Sequence, residues 1–280
     1  MKKDKLAIVV SGGGMKCAYG VGVLTALAEE FGYPKPSICI ASSGGAGIAV
    51  YYLSGQYWQT VATFLSLLPQ KLFISYRRKK ILDVDYLVDE LFKKRYPVDF
   101  KALKASGTRF LVAATRVTDG ETVYLKIPST KAAYERLRAT KAVPFVYGRE
   151  VRVGKQSYID GDFGTNTEDL VRKAITEGAK RIVVIESNPL VDASRARKLI
   201  LTGLYYKNKF SGNKGLSSAI LREMQKTVPV LKQSLQIVVI SPSKSLSLSP
   251  LSRNKLALRK SFNLGYADAS NNKELKKLLA

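Results

Sequence analysis

The sequence contains no histidine among its 280 residues. Histidine is the usual general base of serine and cysteine hydrolases and the commonest zinc ligand in proteins. A histidine-dependent catalytic triad is therefore excluded, and so is a zinc site built on imidazole. Any hydrolytic chemistry in this chain must use a different base.

Cysteine and long apolar runs are also scarce. Only Cys17 and Cys39 occur, and their spacing fits neither a metal site nor a disulfide framework, so we expect a reducing environment. No run of about 18 apolar residues is present, which predicts no membrane-spanning helix and restricts membrane contact to the surface. The short apolar stretch Leu6–Val10 is interpreted as a buried strand rather than a signal peptide. We expect a soluble, cytoplasmic protein with peripheral contact at the inner membrane face.

Acidic residues are few, with 22 Asp and Glu against 46 Lys and Arg, a net charge of +24 and a pI near 9.9. This balance favours polyanionic partners, either phospholipid head groups or nucleic acid, and charge alone does not choose between them. No nucleic-acid-binding module is readable, so we expect nucleic acid to be at most a minor partner. The sequence does not indicate an oligomeric state.

The apolar content of 46% allows a substantial core, and we expect one domain over residues 1–280. A strand, a glycine turn and a helix follow one another twice near the start of the chain, and further strands alternate with helical stretches. This pattern predicts an α/β fold of three layers, with a mostly parallel sheet between helices. The predicted strands are Leu6–Val10, Ser37–Ala41, Phe110–Thr115, Thr122–Lys126, Val151–Val153, Arg181–Glu186 and Leu235–Ser241.

Two segments in the second half of the chain have unusual composition. Residues 191–234 carry nine Lys or Arg against Asp192 and Glu223, interleaved with aromatic and aliphatic residues. This basic helical segment is either a pair of solvated helices at one sheet edge or a cap or membrane-facing element. The serine- and proline-rich residues 241–255 predict a loop.

Two turns after strands carry groups suited to ester hydrolysis. Gly12, Gly13 and Gly14 expose backbone N–H groups beside a helix start, which suits an oxyanion or a phosphate. The chain lacks the G-x-x-x-x-G-K-[ST] motif and fails G-x-G-x-x-G at Cys17, which argues against a nucleotide site. Ala41-Ser-Ser43-Gly-Gly45 has the context of a nucleophile elbow, with Ser43 favoured over Ser42 because Gly45 lies two residues after it.

A third element, Asp160-Gly161, follows an apolar residue and by itself predicts only a turn at a strand end. The three elements in this order resemble the signature of the patatin-like phospholipases from about Lys5 to the final helix. Ser11–Lys16 resembles the family's oxyanion loop, Ala41–Gly45 its nucleophile elbow and Asp160-Gly161 its Asp-Gly motif. Further resemblance comes from Arg138–Pro144 and from Asn166.

The resemblance implies a Ser43/Asp160 dyad that hydrolyses fatty acyl esters of lipids or phospholipids without histidine. It assigns the oxyanion hole to N–H groups of Gly12, Gly13, Gly14 and Gly44. Lys16 either orients the glycine loop or meets a phosphate of the substrate. We expect no cofactor and no metal, calcium included.

Three residues depart from the family pattern without removing a catalytic group: Ala41 in the elbow, Cys17 after the glycine loop and Asp162 after Asp-Gly. Asp162 either raises the pKa of Asp160 or faces solvent, and solvent exposure is the favoured expectation. Two other functions stay open. The chain is alternatively a non-catalytic member of this fold that binds anionic membranes or nucleic acid, or a general small-ester esterase.

Overall fold

The computed structural model describes residues 5–77, 80–144, 146–188 and 236–280. Within these ranges, eight strands form one sheet: β1 Leu6–Val10, β2 Ile38–Ser42, β3 Arg109–Arg116, β4 Thr122–Lys126, β5 Val151–Val153, β6 Gln156–Asp160, β7 Arg181–Ile185 and β8 Gln236–Ile240. The α-helices of the same ranges are α1 Ala18–Glu30, α2 Ser43–Leu53, α3 Tyr57–Ala62, α4 Phe100–Ala105, α5 Ala133–Ala139, α6 Thr167–Thr176, α7 Lys255–Ser270 and α8 Lys273–Leu279. Shorter 3₁₀ segments at Gly14–Cys17 and Gly161–Phe163 and π-helical segments at Thr63–Leu67 and Tyr86–Arg95 complete the framework.

The sheet is mixed, with a parallel majority, and the predicted α/β class is confirmed. Strands β3, β2, β1, β7 and β8 are parallel neighbours in that order. Strands β4 and β6 pair antiparallel with β3, and β5 pairs antiparallel with β6. The predicted bounds of β1, β4 and β5 match, and those of β2, β3 and β7 differ at the ends. Strand β6, which was not among the predicted strands, pairs with β3 and β5, and its mixture of polar and apolar residues is passed over by a search for apolar runs.

Strand β1 lies at the centre and is buried on both faces. Leu6, Ile8 and Val10 belong to the core under α1, α2 and α7, whereas Ala7 and Val9 pack in a second core with α6. Successive side chains of a strand point to opposite faces, so a continuous apolar strand needs cover on both sides. The helices supply that cover and complete three layers.

Strand β3 brings the ends of two other strands together. Its Leu111–Thr115 pairs with β4 on one edge, so β2 and β6 must share the other edge. Strand β2 runs parallel to β3 and β6 runs antiparallel, so the two approach each other end to end. Ser42 pairs with Ala113 and Asp160 pairs with Ala114, at neighbouring positions of β3. The residues that follow β2 and those that end β6 therefore meet.

Of the two segments with unusual composition, the structure describes only the serine- and proline-rich one. The basic segment 191–234 lies outside the described residues. Residues 241–254 contain neither helix nor strand, and Pro250 within them accepts a hydrogen bond from the N–H of Met15 at 2.9 Å. In the part of the chain that the structure describes, no helix has both the length and the apolar character needed to cross a bilayer.

Candidate active site

Ser43 occupies a strained turn between β2 and α2. Its φ is +46°, in the left-handed region that non-glycine residues rarely adopt. The turn presses against the glycine loop, because a Cβ at Gly45 would lie 2.4 Å from the Ser11 carbonyl oxygen. A Cβ at Gly44 would lie 2.7 Å from the sulfur of Cys17. The two glycines after Ser43 are therefore required by close packing, and the geometry is that of a nucleophile elbow.

The side chains of Ser43 and Asp160 meet directly. Ser43 Oγ donates a hydrogen bond to Asp160 Oδ2 at 2.7 Å, across a sequence separation of 117 residues. Asp160 is 1% exposed and Ser43 is 7% exposed. The other carboxylate oxygen, Asp160 Oδ1, accepts from the N–H of Asp162 at 2.9 Å. The sequence separately singled out these two side chains, and the fold brings them into contact.

Thr140 fixes the position of Ser43 and was not singled out by its chemistry. The backbone N–H of Ser43 donates to Thr140 Oγ1 at 3.0 Å, and Thr140 Oγ1 donates to the carbonyl of Ala113 at 2.5 Å. The buried hydroxyl therefore ties the strained turn to β3. Its sequence signal lies in the family resemblance of Arg138–Pro144.

Burial raises the pKa of Asp160 well above its ordinary value, and the nearby charge of Asp162 raises it further. The Ser43 hydroxyl, the Asp162 N–H and the Lys141 charge act in the opposite direction. A carboxylate with a raised pKa is a stronger base than an ordinary aspartate. The site therefore couples a weakly acidic hydroxyl to a more basic partner.

The expectation that Asp162 faces solvent is wrong. Its side chain is half-buried, and its Oδ1 accepts a hydrogen bond from Ser42 Oγ at 2.6 Å. It also packs against Gly12, where an added Cβ would lie 1.9 Å from Asp162 Oδ2. The 3₁₀ turn after β6 directs this carboxylate inward, where its negative charge acts on Asp160.

Three of the four predicted oxyanion glycines surround the same cavity as Ser43 and Asp160: Gly13, Gly14 and Gly44. Gly13 and Gly14 have φ values of +137° and +59°, which favour glycine and turn the loop toward the elbow. Across the described ranges, the N–H groups of these three glycines have no hydrogen-bond partner. Such N–H groups are suited to hold a developing negative charge.

The structure places Gly12 and Lys16 apart from this cavity. Gly12 lines a separate small polar cavity with Asp162 and Glu186. Lys16 Nζ donates to Asn188 Oδ1 at 2.9 Å, and the Asn188 N–H donates to Glu186 Oε1 at 2.8 Å. Of the two roles considered for Lys16, these contacts support the orientation of the glycine loop.

The cavity beside Ser43 has a volume of about 350 Å³ and a mostly apolar wall. This size and character are typical of a small-molecule site. Its apolar side chains are Met15, Phe64, Leu68, Phe73, Leu82, Val84, Leu87, Phe92, Val143, Val146, Phe163, Pro250 and Leu251. No local sequence pattern indicates this cavity, because its wall comes from many separate segments.

Lys141 is a polar exception in the cavity wall. It is 5% exposed, and its ammonium donates a hydrogen bond to the Leu137 carbonyl at 3.3 Å. Burial lowers the pKa of Lys141 to about 7, while Asp160, Cys17 and Asp162 act in the opposite direction. Sequence reasoning missed this residue, although it lies within the stretch that carries the family resemblance.

The remaining departures from the family pattern fit the local packing. The Cys17 thiol is fully buried against Gly44, and burial raises its pKa to about 12, so it is not a reactive thiolate. Ala41 is fully buried in β2. Within the described ranges, no three cysteine or carboxylate side chains converge on a point where a metal ion could bind.

Comparison with known proteins gives a match to a family model and a similarity of fold to solved structures. A family model described as patatin-like phospholipase matches residues 8–170, which is more than half of the chain. No curated protein matches the sequence significantly. The structure is similar to the crystal structure of VipD from Legionella pneumophila, with a TM-score of 0.54 and 13% identity over 99% of this chain and 67% of that chain. At this identity the similarity shows the fold alone.

Proposed function

Because the chain belongs to the patatin-like phospholipase family, we propose that it is a serine acyl hydrolase that cleaves fatty acyl esters of lipids. Membership of the family implies hydrolysis of lipid esters, and the proposal assigns the chemistry to a Ser43/Asp160 dyad. The observation that carries it is the 2.7 Å hydrogen bond from Ser43 Oγ to Asp160 Oδ2 at a strained turn. The absence of histidine agrees with a dyad in which the carboxylate contacts the serine directly.

In the acylation step, Ser43 Oγ attacks the carbonyl carbon of the ester while Asp160 Oδ2 accepts the hydroxyl proton. The carbonyl oxygen becomes an oxyanion held by N–H groups of Gly13, Gly14 and Gly44. When the intermediate collapses, the bond to the alcohol breaks and Asp160 returns the proton to the leaving oxygen. The products are a free alcohol and an acyl group on Ser43.

In the deacylation step, Asp160 accepts a proton from a water molecule as the water oxygen attacks the acyl carbonyl. The same N–H groups hold the second oxyanion. The bond to Ser43 Oγ then breaks, and the proton passes from Asp160 back to that oxygen. A fatty acid leaves and the Ser43 hydroxyl is restored.

The size and the apolar wall of the cavity favour a long acyl chain over a short acyl group as the part of the substrate that the protein binds. Its volume of about 350 Å³ exceeds what an acetyl group fills, and its wall is mostly aliphatic and aromatic. A short ester would leave most of that apolar surface in contact with water. This observation favours a lipid hydrolase over a general small-ester esterase.

The positive net charge of +24 supports an anionic lipid surface as the place where the substrate is met. Anionic membranes attract basic proteins by about 1 kcal/mol for each Lys or Arg near the surface. We include peripheral contact with such a membrane in the proposal. Attraction of this kind weakens as salt concentration rises.

The experiment compares hydrolysis of a medium-chain p-nitrophenyl ester by the wild type, Ser43→Ala and Asp160→Asn, with circular dichroism to verify folding. We expect turnover in the wild type and its loss in both variants, because each removes one partner of the proton transfer. Labelling with a fluorophosphonate gives a second readout, expected in the wild type and absent in Ser43→Ala. Ser42→Ala is the matched control, because its hydroxyl hydrogen-bonds Asp162 rather than Asp160 and labelling should persist.

Two outcomes would overturn the proposal. A folded wild type that neither turns over the ester nor reacts with the fluorophosphonate would point to a non-catalytic protein that binds polyanions. Full activity in Ser43→Ala would place the chemistry elsewhere. If the wild type is active, a series of acyl chain lengths separates a lipid hydrolase from a small-ester esterase.

A further inference from the structure

Lys141 is a buried lysine in the wall of the cavity that contains Ser43, and burying its charge costs free energy. Its side chain is 5% exposed and lines the cavity that Ser43 and Asp160 also line. The neighbouring helix makes room for it, since a Cβ at Gly47 would lie 3.3 Å from Lys141 Cε. Taking a lone ammonium out of water is unfavourable unless nearby negative charge compensates. The surroundings of Lys141 should therefore contain that charge.

Hydrogen bonds do not supply the compensation. An ammonium has three donors, and across the described residues Lys141 uses them only on the Leu137 carbonyl, at 3.3 Å. No carboxylate oxygen of the described chain lies within 4.0 Å of its nitrogen, so it forms no contact ion pair there. Any compensation by the carboxylates is therefore by charge at longer range, through a site from which water is largely excluded.

The charged groups around Lys141 come from three segments. Asp160 ends β6, Asp162 lies in the 3₁₀ turn that follows, and the Cys17 thiol comes from the segment after the glycine loop. The thiol is neutral, because burial raises its pKa to about 12. Helix α2 and the helix Tyr86–Arg95 present Gly47 and Phe92 at this point, neither of which is charged. Among the described residues, the charged groups here are therefore one cation and two carboxylates.

Two carboxylates in one buried site oppose each other's ionisation, as in aspartic-protease dyads. Asp162 accepts a hydrogen bond from Ser42 Oγ at 2.6 Å, and its negative charge raises the pKa of Asp160. Asp160 must also be ionised to accept the proton of Ser43. A cation within the same cavity wall relieves this opposition.

We propose that Lys141 is a positioning residue that keeps Asp160 ionised beside Asp162, so that Asp160 is ready to accept the Ser43 proton. This inference rests on the proposed function of the dyad. Lys141 does not touch the reacting atoms; it acts through the charge of Asp160. Burial lowers the pKa of Lys141 to about 7, so its ammonium is charged below that pH and acts on Asp160 there.

The test is the pH profile of kcat/KM for Lys141→Met, a variant of similar length without the charge. Removing a nearby positive charge favours the protonated carboxyl, so the pKa of Asp160 rises and the acid limb moves to higher pH. We expect a shift of about one pH unit, with about a tenfold loss of kcat/KM below the limb and little change above it. Asp162→Asn should move the limb the other way, and the double variant should lie near the wild type.

Lys155→Met is the matched control, because it removes one exposed lysine from the turn of the β5–β6 hairpin, whose second strand ends at Asp160. It should leave the acid limb in place. A limb that does not move in Lys141→Met would overturn the inference. An increase in KM confined to anionic substrates, with an unmoved limb, would also overturn it and assign Lys141 to substrate binding instead.

A measurement without turnover separates this inference from the proposed function. In the Ser43→Ala background, carboxyl carbon shifts of aspartate-labelled protein are titrated by NMR, and the Asp160 signal is identified by its loss in Asp160→Asn. We expect Lys141→Met to raise the pKa of this carboxyl. An unchanged titration would refute the role of Lys141 even in an active enzyme. A raised pKa in a protein without ester turnover would refute the proposed function alone.

Discussion

Replacing Thr140 by valine tests whether its hydroxyl holds the strained turn at Ser43. Valine keeps the branched shape but removes Oγ1, which accepts from the Ser43 N–H and donates to the Ala113 carbonyl. The Thr140 side chain is 0% exposed, so water does not readily replace it. The Ser43 N–H then stays buried without a partner, at a cost of about 1–3 kcal/mol, and the second hydrogen bond adds about 1 kcal/mol. We expect a loss of about 2–4 kcal/mol in the free energy of unfolding.

Thr140→Ser is the control, because it keeps the hydroxyl and removes one methyl group at a cost of about 1 kcal/mol. Urea unfolding is followed by far-ultraviolet circular dichroism and by the fluorescence of the single tryptophan, Trp58. Thr140→Val should be clearly less stable than Thr140→Ser, and its kcat should fall further because the turn is no longer tied to β3. Equal stability of the two variants, within about 0.5 kcal/mol, would refute this account of the hydrogen bonds.

Three further predictions concern packing, charge and the cavity. Gly161→Ala would place a Cβ 2.3 Å from the Ala113 carbonyl oxygen, so thermal unfolding should shift down far more than in Gly32→Ala. The Gly32 variant carries only the backbone strain of a φ of +66°, because its Cβ meets nothing within 4 Å; equal shifts would contradict the packing argument. Asp160→Asn should unfold at higher urea concentration than the wild type at pH 8, and this advantage should shrink toward pH 5. Because the pKa of Asp160 is raised in the folded protein, the folded carboxyl stays protonated at pH values where the unfolded carboxyl is ionised. The free energy of unfolding of the wild type therefore falls as pH rises through that window, and a difference between the two proteins that does not change with pH would contradict this account. Leu87→Trp should narrow the cavity and lower kcat/KM for a p-nitrophenyl laurate at least tenfold more than for the butyrate, and an unchanged ratio would remove the cavity as the acyl site.

Much of the fold was readable from the chain because local patterns carry it. The five apolar residues of β1 indicated a buried strand, and the succession of strand, glycine turn and helix near the start of the chain predicted α1. Strand β6 was missed because its first two residues, Gln156 and Ser157, are polar, yet this strand delivers Asp160 to the site. Its pairing with β3 is a long-range contact, and no local pattern encodes such a register.

The orientation of Asp162 shows why side-chain environment was harder to predict than identity. Aspartate side chains are mostly exposed in proteins, and solvent exposure was the expectation for Asp162. The 3₁₀ turn and the absence of a side chain at Gly12 instead direct its carboxylate inward to Ser42. Its effect on the pKa of Asp160 follows from that packing alone.

By itself the sequence determined the chemistry that is available: no imidazole, a serine on a glycine-flanked turn, a glycine loop and an Asp-Gly pair. Residue types and short spacings decide these features, since a tight turn needs small residues wherever it occurs. Only the tertiary structure decided that Ser43 and Asp160 touch, that Lys141 is buried beside them and that an apolar cavity adjoins them. These features depend on strand register and on the exclusion of water, which arise when distant segments pack together.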